Sequence, residues 1–481
     1  MYSRWISAVL AFACLAACDG APGASGFPGA FSPGAARRAA TSTPIKHVVI
    51  IMQENRSFEN LFHAFPGART VNSGVGHDGT VYHLQSIPLT WPVEMDHSHY
   101  QFLEDYDKGK IDGFDQYVVS LKKTGSICSN PINRYNEPPC FHIQQSARFK
   151  QMSFSYVDPT QITEYWAMAQ QYALGDNTFS SNNGPTFPSH QYLIAGESGH
   201  ATEVPHGQPW GCDAETGTTV NVLKGGRARP PVYSEDTGHE IAGPYPCFTY
   251  PTIAQNLDAS NVTWKYYAQE TGTGRDLDPF ESSSAVWNGP DRKNIIYPDT
   301  QVLKDIRTGK LANVSWVTPS GQTSDHPGPQ SGNEGPKWVA SIVNAIGKSE
   351  YWKSTAIIVM WDEWGGWYDE VKPPQYLDSQ SNAYEGLGFR VPLIVVSPYA
   401  RAGYISHKQH EIAGTLRFLE ETFDLPFIGG DSGIKYADQR ADGFDDMFDY
   451  TQKPIPFVPI RTTGNATLFE NFHDDTPADT Y

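Results

Sequence analysis

The 481-residue chain is expected to fold as an α/β protein, with one large, mainly parallel sheet flanked by helices and joined by long loops. Three observations predict this. Short apolar runs rich in Val and Ile recur, as strands buried on both faces require. Segments with helical apolar spacing fall between them. The 43 Gly and 36 Pro call for many connections, several of them long.

The elements follow in order. Ile45-Lys-His-Val-Val-Ile-Ile-Met52 is the first buried strand. Polar Glu54-Asn55-Arg56-Ser57 come next, then Phe58-Glu59-Asn60-Leu61-Phe62 as the start of a helix. Pro188 is placed as the first residue of a helix covering His190 to Ala195. Asn313-Val-Ser-Trp-Val317 is a second strand, leading to Thr318-Pro319 and then Asp325-His326. Pro336 opens a helix with Trp338, Val339, Ile342, Val343 and Ile346 on one face and Gly347 as its stop. Thr355 to Trp361 is a third strand and ends in Asp362-Glu363. Val391 to Ser397 is a fourth. Ile412, Leu416, Leu419 and Phe423 line a further helix. Ligands of open α/β sheets bind beyond the carboxyl ends of the strands, so the acidic clusters at three strand ends should converge. No internal repeat is found, and the sequence after about 455 has little periodicity.

Composition limits the function. Hydrophobic residues make up 39% and charged residues 18%, which excludes a disordered chain. Asp+Glu number 53 against 35 Lys+Arg, a net charge of −18, which argues against nonspecific nucleic-acid binding. Outside the N-terminus no apolar run reaches 18 residues, so no transmembrane helix is expected.

The first residues read as an address. Arg4 precedes an apolar run from Trp5 to Ala17, too short to span a bilayer but suited to a secretory signal. Leu15-Ala16-Ala17-Cys18 resembles a bacterial lipobox, in which the Cys is lipidated and becomes N-terminal. An ordinary signal peptide containing Cys18 is the alternative. The expected organisation is a signal peptide over 1–17, a flexible tether over 18–44, a catalytic domain over 45–460 and a C-terminal tail over 461–481. The protein is expected to be exported, periplasmic or at the cell surface, and membrane-anchored. With Cys14 removed and Cys18 lipidated, Cys128, Cys140, Cys212 and Cys247 remain. Three disulfide pairings are possible, and the sequence-local one is expected, Cys128–Cys140 and Cys212–Cys247. A zinc site is disfavoured because no C-x-x-C spacing occurs.

An ordered set of motifs carries the chemistry. It runs from Ile45-Lys-His-Val-Val-Ile-Ile-Met-Gln-Glu-Asn-Arg-Ser-Phe58 through Asp96-His97 and Lys110-Ile-Asp-Gly-Phe114 to Gly184-Pro-Thr-Phe-Pro188. It continues with Ser324-Asp-His-Pro327, Asp362-Glu-Trp-Gly-Gly-Trp-Tyr-Asp369, Arg390-Val-Pro-Leu-Ile-Val-Val-Ser-Pro398 and Gly403-Tyr-Ile-Ser-His407. Over residues 45–450 this resembles the bacterial phospholipase C and acid phosphatase family of the alkaline-phosphatase superfamily. The resemblance implies an alkaline-phosphatase-like fold. It also implies a metal bound by Glu54, Asn55, Asp362 and Glu363, with the nucleophile Thr186 as a further ligand.

The residue chemistry agrees. Glu54, Asn55, Asp362 and Glu363 are hard oxygen donors, suited to Ca²⁺, Mg²⁺ or Mn²⁺. Helix capping is the competing role for Asn55 or Ser57. Gly365-Gly366 beside Asp362-Glu363 points to a close backbone approach. Thr186 just before a helix N-terminus would face free N–H groups that favour an alkoxide and a phosphate, or it could be a plain cap residue. His97 and His326 suit contacts to phosphate oxygens or protonation of a leaving alkoxide, with Asp325 orienting His326 or accepting a proton. His99 competes with His97. The family usually has His after Gly-Gly-Trp-Tyr-Asp369, where this chain has Glu370, and His407 is a candidate to approach the site instead.

The expected activity is metal-dependent hydrolysis of a phosphate ester through a covalent phosphothreonine, most consistent with a phospholipase C acting on phospholipid. Acid phosphatase activity on monoesters is the alternative; the large C-terminal extension of some phospholipases is not found after the catalytic region. A catalytically inactive surface lipoprotein is a third reading, favoured only by Glu370. No C-x-P-x-R or S-x-P-x-R motif supports a sulfatase.

Overall fold

The computed structural model describes residues 43–116, 150–223, 240–328, 332–377, 384–430, 436–472 and 474. The expected leader, Cys18, nearly all of the tether, Cys128 and Cys140 lie outside these residues.

Eight strands form the central sheet. In chain order they are β1 His47–Gln53, β2 Ala173–Gly175, β3 Trp264–Tyr267, β4 Ile295–Ile296, β5 Val314–Val317, β6 Thr355–Trp361, β7 Leu393–Val396 and β8 Tyr404–Ser406. Across the sheet the order is β4-β3-β5-β1-β6-β7-β2-β8. Neighbours are parallel except where β7 runs against β6 and β2. The sheet is therefore mainly parallel, as expected, but the strand read at 391–397 is the antiparallel one. An apolar run carries no information about strand direction, so this was not legible.

The helices include α1 Phe58–Phe62, α2 His99–Tyr106, α3 Thr163–Gln171, α4 Thr186–Gln191 and α5 Gly335–Gly347, and the helix expected around Leu416 and Leu419 is α6 Gly414–Phe423. Ser57 caps α1 by accepting from Asn60 N–H, so the capping role expected near Asn55 belongs to Ser57. On α5 the residues Trp338, Val339, Ile342, Val343 and Ile346 are all buried against the sheet core, as their spacing predicts. The helix expected to open at Pro188 and cover His190 to Ala195 instead spans Thr186–Gln191, with Pro185 before it and Pro188 inside its first turn. Pro is tolerated there because first-turn N–H groups have no helical acceptor. At six residues α4 is too short for a strong macrodipole, so that part of the argument for Thr186 falls away.

Cys212 and Cys247 form a disulfide, as the sequence-local pairing predicts. Beyond 460, Ala466–Glu470 is helical and buries the Phe469 ring against Trp338 of α5. Among the described residues no helix is long and apolar enough to cross a membrane.

Candidate active site

The site grows out of the register between the two central strands. Gln53 of β1 pairs with Trp361 of β6, and Asp362 N–H donates to the Gln53 carbonyl. The chain leaves both strands at one level, and Glu54 and Asp362 emerge side by side, both fully buried. Asn55 then takes a left-handed conformation at φ +57°, which Asn tolerates better than most residues. Its N–H donates to Asp362 Oδ1 at 2.8 Å, and Glu363 N–H donates to the same oxygen at 2.8 Å. One carboxylate oxygen thus ties the two strand ends together, and Asp362 Oδ2 is left with no hydrogen-bond partner.

Helix α4 is fastened to the same point. The hydroxyls of Ser180 and Ser189 both donate to the Asp362 carbonyl at 2.8 Å. This brings Thr186 Oγ1 to 3.5 Å from Glu54 Oε2. His190, one turn further along α4, sets Nε2 at 3.1 Å from Glu54 Oε1 and 3.9 Å from Asp362 Oδ2.

A second group adjoins the first. Asn55 Nδ2 lies 3.0 Å from Nε2 of both His97 and His326. Each imidazole has Nδ1 on a backbone carbonyl, Met95 O for His97 and Pro327 O for His326. A carbonyl only accepts, so Nδ1 carries the proton and Nε2 of the neutral ring accepts from the Asn55 amide. The Asn55 –NH₂ is therefore used twice, while its Oδ1, also buried, has no hydrogen-bond partner. Glu363 Oε1, 3.9 Å from His97 Nε2, has none either. Glu94 completes this side: its carboxylate and the two imidazoles offer ligand atoms within 4.8 Å of one another, as do Glu54, His190 and Asp362.

Two glycines allow this closeness. A Cβ on Gly365 would stand 2.1 Å from the Asn55 carbonyl oxygen, and one on Gly366 would stand 2.8 Å from the Asp96 carbonyl oxygen. The loop after β6 thus rests directly on the backbones that carry Asn55 and His97, the close approach that Gly365-Gly366 predicts.

Burial dominates the electrostatics. Desolvation pushes Glu54 up to about 8, against the Thr186 hydroxyl contact that opposes it. Asp362 is pushed up to about 8 by burial and then by the charge of Glu54. Glu363 rises well above the usual carboxyl range through burial, with Asp362, Glu54 and Glu94 adding repulsion. Burial also lowers His190. Three crowded carboxyls without a compensating cation resist ionisation, and a bound cation would relieve that cost. The partnerless Asp362 Oδ2, Glu363 Oε1 and Asn55 Oδ1 are oxygen donors of the kind a divalent ion takes, so the residues present fit a metal.

Of the predicted residues, Glu54, Asn55, Thr186, Asp362, Glu363, His97 and His326 meet in this cluster. Asp325 stands beside it in another manner. At φ +68° its carboxylate turns away to accept from Tyr165 OH of α3 at 2.6 Å and Trp361 Nε1 at 3.2 Å. The expected orienting contact to His326 is thus replaced by the Pro327 carbonyl, while Arg56 Nε holds the Asp325 carbonyl at 2.8 Å. His99 begins α2 and places Nδ1 on Asn183 instead of in the cluster. His407 is 47% exposed and pairs with Asp176 at 2.8 Å. Glu370 binds Arg390 Nη2 at 2.7 Å, within a buried set that includes Asp369 and Glu59. Glu370 is therefore a partner of Arg390, and the departure from the family pattern leaves the cluster itself untouched.

Sequence reasoning missed Glu94 and His190. The i, i+4 relation of His190 to Thr186 was the available signal, hidden by starting the helix too late. Glu94 lies three residues before His97 in a stretch without periodicity.

A family model described as the phosphoesterase family matches residues 45–426. The chain is 26% identical over 427 residues to the non-hemolytic phospholipase C of Pseudomonas aeruginosa, covering 81% of this chain and 55% of that enzyme. It is 24% identical over 421 residues to phospholipase C A of Mycobacterium tuberculosis, covering 80% and 74%. The chain thus spans about half the length of the Pseudomonas relative and three quarters of the mycobacterial one. Among solved structures, a protein of the alkaline phosphatase superfamily from Vibrio parahaemolyticus overlaps 59% of this chain and 64% of its own, at a TM-score of 0.33 and 11% identity, too partial to argue from.

Proposed function

Since the chain belongs to the phosphoesterase family, we propose that it is a metal-dependent phosphate-ester hydrolase of the phospholipase C type, with Thr186 as nucleophile. The observation that carries this reading is the buried meeting of one hydroxyl, three carboxyls and two Nε2-facing imidazoles at adjacent strand ends. Glu54, Asn55, Asp362, Glu363 and Thr186 would hold the cation. A divalent ion there supplies positive charge for the phosphoryl oxygens and lowers the hydroxyl pKa.

Thr186 loses its hydroxyl proton to solvent, and the ionised Oγ attacks phosphorus in line with the leaving oxygen. The bond to the leaving group breaks as the Oγ–P bond forms, and the phosphoryl group is left on Thr186. His97 and His326 keep Nδ1–H on their carbonyls, so in the imidazolium form each presents Nε2–H to a phosphoryl oxygen or to the leaving alkoxide. Water then hydrolyses the phosphothreonine. Asp325 serves as a positioning residue for the His326 loop through Tyr165, Trp361 and Arg56.

The relatives' names, phospholipase C, support a diester substrate with a phospholipid headgroup. Hydrolysis of nitrophenylphosphorylcholine and of nitrophenyl phosphate, each with and without chelation, tests this. Faster turnover of the diester, lost on chelation, is expected. A preference for the monoester would make the protein a phosphatase, and no turnover of either with any divalent ion would favour an inactive binding protein.

Export and anchoring belong to the same proposal. A signal over 1–17, lipidation at Cys18, a tether to 44, a catalytic domain over 45–460 and a tail over 461–481 would place the enzyme at a membrane surface beside its substrate. The disulfide Cys212–Cys247 supports an oxidising compartment. Cys18→Ser should release the protein into the soluble fraction, and unchanged membrane association would refute lipidation.

A further inference from the structure

The geometry points to a ligand that the oxygen-only set leaves out: we propose that His190 Nε2 binds the same cation as Glu54 and Asp362, so that the site prefers a first-row transition ion to Ca²⁺ or Mg²⁺. The inference rests on the reading that these carboxylates hold a cation, and it sets the chemical class of that cation.

The ring's tautomer is fixed first. His190 Nδ1 lies 2.7 Å from the Leu277 carbonyl oxygen, which can only accept, so Nδ1 carries the proton. Nε2 of the neutral ring is then a lone pair. Metal-bound histidines characteristically donate their other N–H to a carbonyl or carboxylate in this way.

That lone pair points at others. Glu54 Oε1 stands 3.1 Å away and Asp362 Oδ2 3.9 Å away, and Asp362 Oδ2 has no hydrogen-bond partner although its residue is fully buried. Acceptors that converge in a dry interior repel one another unless a proton or a cation lies between them. Ligand atoms held ~2.1 Å from a common ion at roughly tetrahedral or octahedral angles are separated by about 3.0–3.5 Å for adjacent ligands and about 4.2 Å for opposite ones. The Glu54 separation falls among adjacent ligands, and the Asp362 separation lies between the adjacent and opposite values.

The placement of His190 is also constrained. It lies one helical turn beyond Thr186 on α4, whose Ser189 hydroxyl is bonded to the Asp362 carbonyl. Nucleophile and imidazole are therefore presented by one short rigid segment to one carboxylate. An imidazole nitrogen suits Fe²⁺ or Zn²⁺, and Mn²⁺, which favours oxygen, accepts one in a mixed set, whereas Ca²⁺ and Mg²⁺ take oxygen.

The test uses the full chain, stripped by chelation and loaded with one equivalent of Mn²⁺. Pulsed electron paramagnetic resonance then reads nitrogen coupling to the ion. Coupling should be present in the wild type, lost in His190→Gln, and retained in His97→Gln and His326→Gln. Mn²⁺ affinity of His190→Gln should fall by more than the ~10–100-fold typical of an outer partner. Bound Mn²⁺ without nitrogen coupling, or coupling that survives in His190→Gln and disappears in a His97 or His326 variant, overturns the assignment. Failure of the wild type to bind Mn²⁺ overturns this inference, and failure to bind any divalent ion, Ca²⁺ and Mg²⁺ included, overturns the metal-dependent reading as well. Should His190→Gln not fold, competition on the wild type decides: Mn²⁺ retained against a hundredfold excess of Ca²⁺ supports the nitrogen ligand, and displacement by that excess refutes it.

Discussion

Gly365→Ala should damage stability and activity together, by amounts that follow from two separable terms. Gly365 sits at φ +62°, and an added Cβ would meet the Asn55 carbonyl oxygen at 2.1 Å. A relaxed carbon–oxygen contact is about 3.3 Å, so the two backbones must part by roughly 1.2 Å. The left-handed conformation alone costs about 1–2 kcal/mol for a residue with a Cβ. Forcing packed backbone apart adds about 1–3 kcal/mol, for a total of roughly 2–5 kcal/mol. Gly79 isolates the first term, because it has φ +81° and an added Cβ would meet nothing within 4 Å. Gly79→Ala should therefore lose only about 1–2 kcal/mol and keep full activity. Asn55 holds Asp362 and both imidazoles, and a displacement of about 1 Å there is expected to lower kcat/KM by ~10²-fold. Urea unfolding and turnover of a nitrophenyl phosphoester, measured on the wild type and both variants, give the comparison. If Gly365→Ala is no less stable than Gly79→Ala, or retains wild-type turnover, the close approach does not position the site and the reasoning fails.

Two further substitutions separate the cluster from its surroundings. Asp362→Asn removes the oxygen that faces Glu54 and His190 but keeps one that accepts from Asn55 and Glu363, so the fold should survive while cation binding weakens and activity falls by ~10³-fold or more; wild-type cation affinity by calorimetry would count against the ligand assignment. Glu370→Gln touches the Arg390 set and not the cluster, so kcat/KM should change by less than the ~10²-fold expected for a lost acid or base, and a larger loss would return Glu370 to the chemistry.

The legible and illegible parts of this chain differ for physical reasons. β1 and β6 were readable because a central parallel strand is buried on both faces and must be continuously apolar. β3, Trp264–Tyr267, mixes aromatic residues with Lys265, and β2, β4 and β8 have two or three residues each, too few to show a period. The direction of β7 is set by its neighbours, which periodicity does not report. In the site, Glu54, Asn55, Asp362 and Glu363 were legible because each directly follows a readable strand. His97, His326 and Thr186 lie on loops or a short helix, and only the ordered motif pointed to them. Asp325 shows the limit of adjacency: it neighbours His326 in sequence, yet a left-handed backbone sends its carboxylate to Tyr165 and Trp361. Glu94 joins the cluster through tertiary packing that no local pattern encodes, and His190 through an i, i+4 relation to Thr186 that a helix start placed too late concealed.

The most direct test of the covalent mechanism is chemical. Wild-type protein mixed with a substrate labelled at phosphorus and quenched in acid should carry label on the peptide containing Thr186, as an acid-stable phosphothreonine. Thr186→Ser should still trap label, because the hydroxyl remains, and Thr186→Ala should trap none and lose ~10⁴-fold or more in rate. Label on another residue, or a Thr186→Ala variant that retains most of its turnover, would contradict Thr186 as nucleophile.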